Sequence, residues 1–356
     1  MVAVTEIVYR KVLRPLLFRL EPETAHRVTL AWLAMLPAIT RTDDQLLAIR
    51  LWDLDLTNPA GLAAGLDKEA RALAAWRTLG FGFAEIGTIT PMPQPGNERP
   101  RMWRLPERRA LINRLGFPSA GMLAISPRLE SFRRRNPGLR IGLNFGPNKN
   151  TPPARVADDY AQLILRLGHL ADFIVINVSS PNTPGLREWQ APAAIGTLLA
   201  AINLARGNLP RHPPVLVKLA PDLDQEAVVK ICAAAEAGGV DGFVAGNSTL
   251  ARAEVGLTDD RQGGLSGEPL RERARALIRM VYQASGGRLP IIGVGGIMNA
   301  VDAWGHIRAG ASMVELYTGF IYEGPALIGA IKHGLLHLMK SGGWRSISEA
   351  AGSASR

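Results

Sequence analysis

Eight times after residue 45, a short β-type run of residues gives way to a helix-patterned stretch. The runs are Pro59–Gly65, Phe83–Thr90, Arg140–Gly146, Phe173–Ser179, Val215–Ala220, Gly242–Asn247, Pro290–Gly296 and Met313–Thr318. Helical stretches follow them, as at Lys68–Leu79, Ala154–Leu170, Gln225–Ala237 and Val301–Ala309. Alternating β and α units build a parallel sheet, and eight of them predict closure into a (β/α)8 TIM barrel of the α/β class. An open doubly wound sheet is the competing architecture. It is disfavoured because no G-x-G-x-x-G follows the first strand-like run.

The chain has 356 residues, 47% hydrophobic and 20% charged, which excludes wholesale disorder. A barrel of ~250 residues leaves room for an appendage. The expected division is a helical extension over 1–45, the barrel over 46–340, and a small, polar, mobile tail over 341–356. The single cysteine, Cys232, excludes a disulfide framework, and no Cys/His cluster has the spacing of a zinc site.

The net charge is +10, a balance that favours anionic partners such as nucleic acid, acidic phospholipid or a phosphorylated cofactor. The excess is local. Between residues 99 and 114 stand Arg99, Arg101, Arg104, Arg108, Arg109 and Arg114 against one acid, Glu107, and Arg133–Arg135 form a second knot. Only Trp103 interleaves the first cluster, so no nucleic-acid partner is expected.

Two amphipathic helices open the chain, one over Thr5–Leu20 and one after Pro22 that carries Val28, Leu30, Trp32, Leu33, Met35 and Leu36. Both are strongly apolar. They either pack on the main body or lay a greasy face with an Arg/Lys rim into a bilayer interface. Val28–Leu36 is too short to span a membrane, which needs ~20 apolar residues, and the charges around it do not suit a signal peptide. The Pro- and Arg-rich segment Pro91–Phe117 is longer than an ordinary βα loop and predicts an excursion over the barrel mouth.

In such barrels the C-terminal strand ends carry the active site. Here they hold Lys68, Thr88, Asn144, Asn177 with Ser179 and Ser180, Lys218, Asn247 with Ser248, Gly295–Gly296 and Tyr317–Thr318. This ring of amides, hydroxyls and two ammonium groups, with few carboxylates and no histidine, suits a hydrogen-bonding neutral or anionic ligand and not a divalent metal. Lysine is scarce, seven against 34 arginines, yet two lysines end strands. Glycines in GGLSGEPL (263–270) and GVGGI (293–297), with Tyr317–Thr318–Gly319, would let backbone N–H groups approach a phosphate. Strand alternation puts Asn177 inward. The following Ser-Ser-Pro-Asn also reads as a capped turn, and spacing alone does not say which serine would react.

At these residues the chain resembles the dihydroorotate dehydrogenases, in particular the class 2, quinone-dependent branch. The resemblance covers nearly the whole chain and rests on LEPETAHRVT (20–29), AAGLDK (63–68), EIGTITPMPQPGN (85–97), INRLGF (112–117), NVSSPNTPGLR (177–187), VKLAPDL (217–223), GGLSGEPL and PIIGVGGI. It implies FMN in the barrel mouth, with Ala64, Gly65, Lys68, Thr88, Asn144, Asn177, Lys218 and Gly246 at the flavin and ribityl chain. Gly267, Gly296, Tyr317 and Thr318 would hold the phosphate.

The resemblance further implies that Lys68, Asn113, Arg114, Leu115, Gly116, Phe117, Asn177, Asn182, Asn247 and Ser248 hold dihydroorotate, and later orotate. Ser180 would be the base; class 1 enzymes have a cysteine at this position. Ubiquinone or menaquinone would reach the flavin through a tunnel under the N-terminal helices, with His26, Arg104 and Tyr317 at its inner end. The implied protein is a monomer, peripheral to the cytoplasmic face of the cell membrane, acting in pyrimidine biosynthesis. Gly246 departs from the family's commoner Thr-Asn-Thr and removes a hydroxyl.

Two other functions compete. An FMN-barrel tRNA dihydrouridine synthase would explain the basic charge but should carry a reactive cysteine at the barrel mouth and a C-terminal RNA-binding helical domain; neither is evident. A non-enzymatic membrane-surface module would explain the first 40 residues and leave the strand-end ring without purpose.

Overall fold

The computed structural model describes residues 6–39, 42–135, 138–253 and 256–355. Eight parallel strands close a barrel: β1 Ala60–Leu62, β2 Phe83–Ile89, β3 Arg140–Phe145, β4 Phe173–Asn177, β5 Val215–Leu219, β6 Gly242–Ala245, β7 Ile291–Val294 and β8 Met313–Leu316. Closure runs through β8 and β1, where Val314 pairs with Ala60 and Leu316 with Leu62. Each expected run supplies one strand. All eight are shorter than their runs, because the last residues leave the ladder to form the mouth.

The interior is packed at the end where the strands begin. The rings of Phe83 and Phe173 lie 5.9 Å apart. Glycine at 61 and 142 leaves room for them, since a Cβ there would lie about 2 Å from a ring carbon. A hairpin of Ile49–Leu51 and Leu54–Leu56 caps this end, with Trp52 Nε1 donating to Asp241 O over 2.9 Å. Apolar filling here leaves the opposite end for polar side chains.

Helix Gln225–Ala237 matches its expected span, capped by Asp224, whose carboxylate accepts from Ala227 N. Helix Leu73–Leu79 starts five residues later than expected. The buried Asp67 carboxylate accepts from Arg71 N and Ala72 N, both at 2.8 Å, and from Trp76 Nε1 at 3.0 Å. Those bonds wind the preceding residues into a turn, with Ala70 at φ 56°.

The excursion over Pro91–Phe117 forms two antiparallel strands, Met102–Leu105 and Ala110–Asn113. Gly264–Gly267 joins them as a third, Gly264 facing Asn113 and Gly267 facing Ala110. Part of the glycine-rich run read as an approach to a phosphate is therefore a strand of the mouth sheet, and the helix Arg271–Ala284 follows a short 3-10 turn.

The start of the first expected helix, Thr5, lies outside the described residues. The described part contains a π-turn over Tyr9–Leu13 and an α-helix over Arg14–Arg19, and the second helix runs Pro22–Leu33 with the Glu21 carboxylate accepting from Glu23 N and Thr24 N. The arginine-rich cluster fastens these helices to the mouth. Arg101 pairs with Glu23 at 2.8 Å, Arg104 Nη1 donates to Leu20 O at 2.8 Å, and Arg14 Nη1 donates to Tyr322 O at 2.8 Å. Their outer side stays apolar and exposed at Ile7, Val12, Leu16, Trp32, Met35 and Ile39. The second knot, Arg133–Arg135, ends the helix Met122–Arg135, where cations offset the helix dipole, and Arg133 pairs with Asp172 at 2.7 Å.

The tail expected to be mobile is packed instead. Ile347 and Ala350 are fully buried, Trp344 meets Trp304 edge-on at 6.2 Å, and Ala354 N donates to Arg308 O. Gly352 N and Ser355 Oγ also donate to helix Ala300–Ala309, at Ile307 O and Ala309 O, contacts that composition alone does not reveal. Arg356 lies outside the described residues.

Candidate active site

The C-terminal ends of β1 to β8 and the mouth sheet enclose a cavity of about 150 Å³. Ala64, Gly65, Lys68, Thr88, Asn177, Lys218, Gly267, Gly296, Tyr317 and Thr318 line it. So do Asn113, Leu115, Gly116, Phe117, Asn182, Asn247, Ser248 and Ser180. Residues scattered over 250 positions of sequence thus converge on one chamber.

Three expected residues are not in its lining. Asn144 is fully buried and acts from beneath: Thr88 Oγ1 donates to Asn144 Oδ1 at 2.6 Å, and Asn177 Nδ2 donates to Thr88 Oγ1 at 2.9 Å. The side chain of Arg114 turns away, donating to Pro100 O and standing 5.8 Å from the Trp103 ring. Gly246 has φ 129°, and a Cβ there would lie 2.1 Å from Val294 O. The backbone therefore demands glycine, which accounts for the missing hydroxyl at that position.

The structure separates the two serines that spacing could not. Ser179 is fully buried and absent from the cavity lining; its hydroxyl accepts from Asn247 Nδ2 at 2.8 Å and donates to Asn177 Oδ1 at 3.1 Å. Ser180 faces the cavity, with Oγ accepting from Asn182 N at 3.3 Å. Arg187 anchors this loop, donating to Ser179 O at 3.0 Å and Ser248 O at 3.2 Å while pairing with Asp222 at 2.8 Å.

Lys68 donates to Gly65 O at 2.6 Å, and burial pushes its pKa down from 10.5 to about 8. At the far side of the chamber, glycine backbone at 267, 295, 296 and 319 is bare of side chains. Gly296 has φ 72°, and a Cβ there would lie 2.3 Å from Arg271 Cα. The hydroxyls of Ser266 and Thr318 meet beside this cradle at 2.9 Å.

Below the rim lie two carboxylates that the strand-end reading missed. Lys218 Nζ stands 3.0 Å from Glu85 Oε1 and 3.8 Å from Glu315 Oε2, all three side chains being 5% exposed or less. Strand alternation carried the signal: Glu85 shares a face with Phe83, and Glu315 with Met313 and Tyr317. Ser266, Leu270 and Ile297 also line the chamber unanticipated.

A second cavity, of about 100 Å³ and mostly apolar, lies under the N-terminal helices. Leu17, Phe18, Ala25, Leu30, Leu33, Met102, Leu111, Phe320 and Ile321 wall it, with His26, Arg104, Tyr9 and Thr29 among its polar residues. Burial first, then the nearby Lys68, pushes the His26 pKa down to about 3, so the imidazole is neutral. Arg104 rests over the Phe18 ring at 4.7 Å. Tyr317 lines the first cavity and packs in the cluster of Leu111 and Phe18, which wall the second.

Residues 46–339 match the family model described as dihydroorotate dehydrogenase. The chain belongs to the dihydroorotate dehydrogenase family. A relative from Roseiflexus sp. (strain RS-1), named dihydroorotate dehydrogenase (quinone), is 43% identical over 351 residues, 96% of this chain and 97% of that one. One of the same name from Gloeobacter violaceus is 45% identical over 355 residues, 96% and 98% of the two chains. Among solved structures, that of the family member from Eimeria tenella in complex with ferulenol superposes with a TM-score of 0.89 at 37% identity, covering 94% of this chain and 96% of that one. The protein is thus a dehydrogenase of this family.

Proposed function

We propose that the protein oxidises (S)-dihydroorotate to orotate in the mouth cavity, with FMN as hydride acceptor and a membrane quinone, ubiquinone or menaquinone, as the final oxidant. The observation that carries this reading is the position of Ser180, the one serine of its pair that faces the amide- and lysine-lined chamber. The donor set fits FMN. Bare glycine backbone at 267 and 296, the Thr318 hydroxyl and Tyr317 suit a phosphate. Ala64, Gly65, Lys68, Thr88, Asn177 and Lys218 suit the flavin and ribityl chain, with Asn144 holding Thr88 and Asn177 from beneath. The bound flavin supplies a hydride acceptor for the hydrogen on C6 of the substrate.

Substrate recognition falls to Asn113, Asn182, Asn247 and Ser248, with the backbone of Leu115, Gly116 and Phe117. Their amides fix the ring and its carboxylate, and the Lys68 ammonium offsets the anionic charge. Ser180 Oγ takes the C5 proton, acidified by the adjacent carbonyl, while its own hydroxyl proton passes to solvent. Loss of that proton and of the C6 hydride leaves the C5–C6 double bond of orotate. Lys218 places positive charge where negative charge accumulates on reduction.

The apolar cavity, with neutral His26 and Arg104, is the proposed quinone approach, and Tyr317 stands between it and the mouth. No helix among the described residues is long and apolar enough to cross a membrane. The exposed apolar side of the N-terminal helices supports peripheral contact with a membrane; the proposed protein is a monomer on the cytoplasmic face of the cell membrane, without a nucleic-acid partner. Burial pushes the Cys232 thiol up to about 12, which disfavours a reactive-cysteine tRNA enzyme.

Anaerobic mixing of the purified protein with dihydroorotate, then with quinone, tests the reading. Flavin absorbance should bleach and then recover. A colourless protein, or a flavin that dihydroorotate leaves oxidised, would refute it.

A further inference from the structure

The three charged side chains under the mouth do not balance. Glu85 and Glu315 contribute two carboxyls and Lys218 one ammonium, and the two carboxyl side chains are wholly buried. Glu85 is well served: Lys218 Nζ donates to both of its oxygens, at 3.0 and 3.1 Å, and Asn144 Nδ2 donates to Oε1. Glu315 is not. Neither of its buried oxygens receives a hydrogen bond in the structure, although Lys218 Nζ, the partner of Glu85, stands 3.8 Å from Oε2 and the side chain lines the mouth cavity.

A buried carboxylate that accepts no hydrogen bond and shares its one cation with a second carboxylate is a costly arrangement for a fold to hold. A proton removes the imbalance and supplies the missing bond, with Glu315 as donor and Glu85 as acceptor. Burial first, and then the neighbouring Glu85, push the Glu315 pKa well above the ordinary 4.5, against the opposing pull of Lys218. Among the described residues, Glu85 on β2 and Lys218 on β5 are the charged groups that face it. The adjoining strands pair it with Gly61 and Val294, neither titratable, while Lys68 and Tyr317 line the same cavity.

We propose that Glu315 is a positioning residue that works as a neutral acid: its proton, shared towards Glu85, leaves one carboxylate for Lys218 and so keeps a second negative charge from beneath the cofactor. The proposal rests on the reading of FMN in the mouth cavity. With the proton in place, the field of Lys218 reaches the chamber opposed by one carboxylate only. Once rising pH removes the proton, a buried negative charge opposes further negative charge at the mouth. The midpoint potential of the bound flavin therefore carries a pH dependence that belongs to Glu315.

The test is potentiometry of the flavin-loaded protein from pH 6 to 9, for wild type, Glu315→Gln and Glu85→Gln, with thermal melts of each. Wild type should show a midpoint that falls more steeply with pH than in Glu315→Gln, where nothing is left to ionise. Glu85→Gln should lose the extra slope as well, because Glu315 then gives up its proton and becomes the sole partner of Lys218; it also serves if Glu315→Gln fails to fold. Parallel slopes in all three proteins would overturn the proposal.

The melts carry an independent sign. A carboxyl with a raised folded-state pKa makes the fold lose stability as pH rises from about 4.5 towards that value. Glu315→Gln should thus melt about 2 °C or more above wild type at pH 8, with a smaller gap at pH 5. A variant that melts lower at pH 8 would mean that Glu315 is a needed carboxylate, and would also overturn the proposal. A protein that binds no flavin would refute the cofactor reading and leave the melts to decide the state of Glu315.

Discussion

Asn247 Nδ2 donates to Ser179 Oγ over 2.8 Å, and that bond holds one of two adjacent serines out of the mouth cavity. Ser179 Oγ is committed to Asn247 and Asn177, whereas Ser180 Oγ accepts a single backbone N–H and faces the chamber. Two neighbouring hydroxyls of the same chemistry therefore have different work. Ser180→Ala should retain bound flavin yet slow its reduction by dihydroorotate about 10²–10⁴-fold, the usual scale for losing a positioned acid–base group. Ser179→Ala should cost about 1 kcal/mol of stability and change the rate less than tenfold. Anaerobic stopped-flow absorbance separates the two, and comparable reduction rates in both variants would remove Ser180 from the role of base.

The barrel was legible because periodicity is a local property. Each of the eight apolar runs had to be buried, and the helical stretches between them fixed the strands as parallel. The site was legible for a related reason: strand ends are known once strands are, and Lys68, Asn177, Lys218 and Asn247 all lie at such ends. What escaped depends on distant partners. Residues 264–267 form a strand only because Ala110–Asn113 offers an edge to pair with. Glu315 read as one more strand residue, since nothing near it in sequence says that Glu85 and Lys218 face it across the barrel. The last residues looked like a free tail because alanine, glycine and serine leave no pattern, yet Ala350 is buried and a Cβ on Gly352 would lie 2.1 Å from the Tyr282 ring.

The N-terminal helices wall the apolar cavity and contribute nothing to the lining of the mouth chamber. Deleting residues 1–40 should therefore impair reoxidation by quinone far more than reduction by dihydroorotate. Two half-reactions measured on the same truncated protein, with a soluble oxidant as control, check this. Equal losses in both would count against the apolar cavity as the quinone approach.

Lys68 gives the mouth a pH limit. Burial pushes its pKa down from 10.5 to about 8, so the ammonium that offsets an anionic ligand is lost as pH rises through that value. Orotate affinity in the oxidised protein should be flat below pH 7 and fall about tenfold per pH unit well above 8. Lys68→Met should bind orotate more weakly at pH 7 and show no such break. Equilibrium titrations followed by flavin absorbance decide the matter, and a wild-type profile flat to pH 9.5 would show that the ammonium is not used.

Arg101 ties the N-terminal extension to the substrate side of the mouth. Its guanidinium is nearly buried, pairs with Glu23 at 2.8 Å, and donates to Pro95 O and Asn97 O at 2.7 Å. Asn97 in turn donates from Nδ2 to Asn182 O at 3.2 Å, so the same side chain steadies a proposed substrate ligand two contacts away. Arg101→Met leaves Glu23 with Arg99 as its remaining partner, 3.1 Å away on the surface, and should cost about 2–3 kcal/mol, below the usual 3–5 for breaking a buried pair. It should also raise KM for dihydroorotate, because the loop bearing Asn97 loses both carbonyl anchors. Glu23→Gln removes the ion pair and keeps those anchors, so it should lower Tm while leaving KM near wild type. Melting curves and steady-state kinetics on the pair of variants separate fastening of the helices from support of the substrate loop, and a KM raised equally by both would show that the two functions are one.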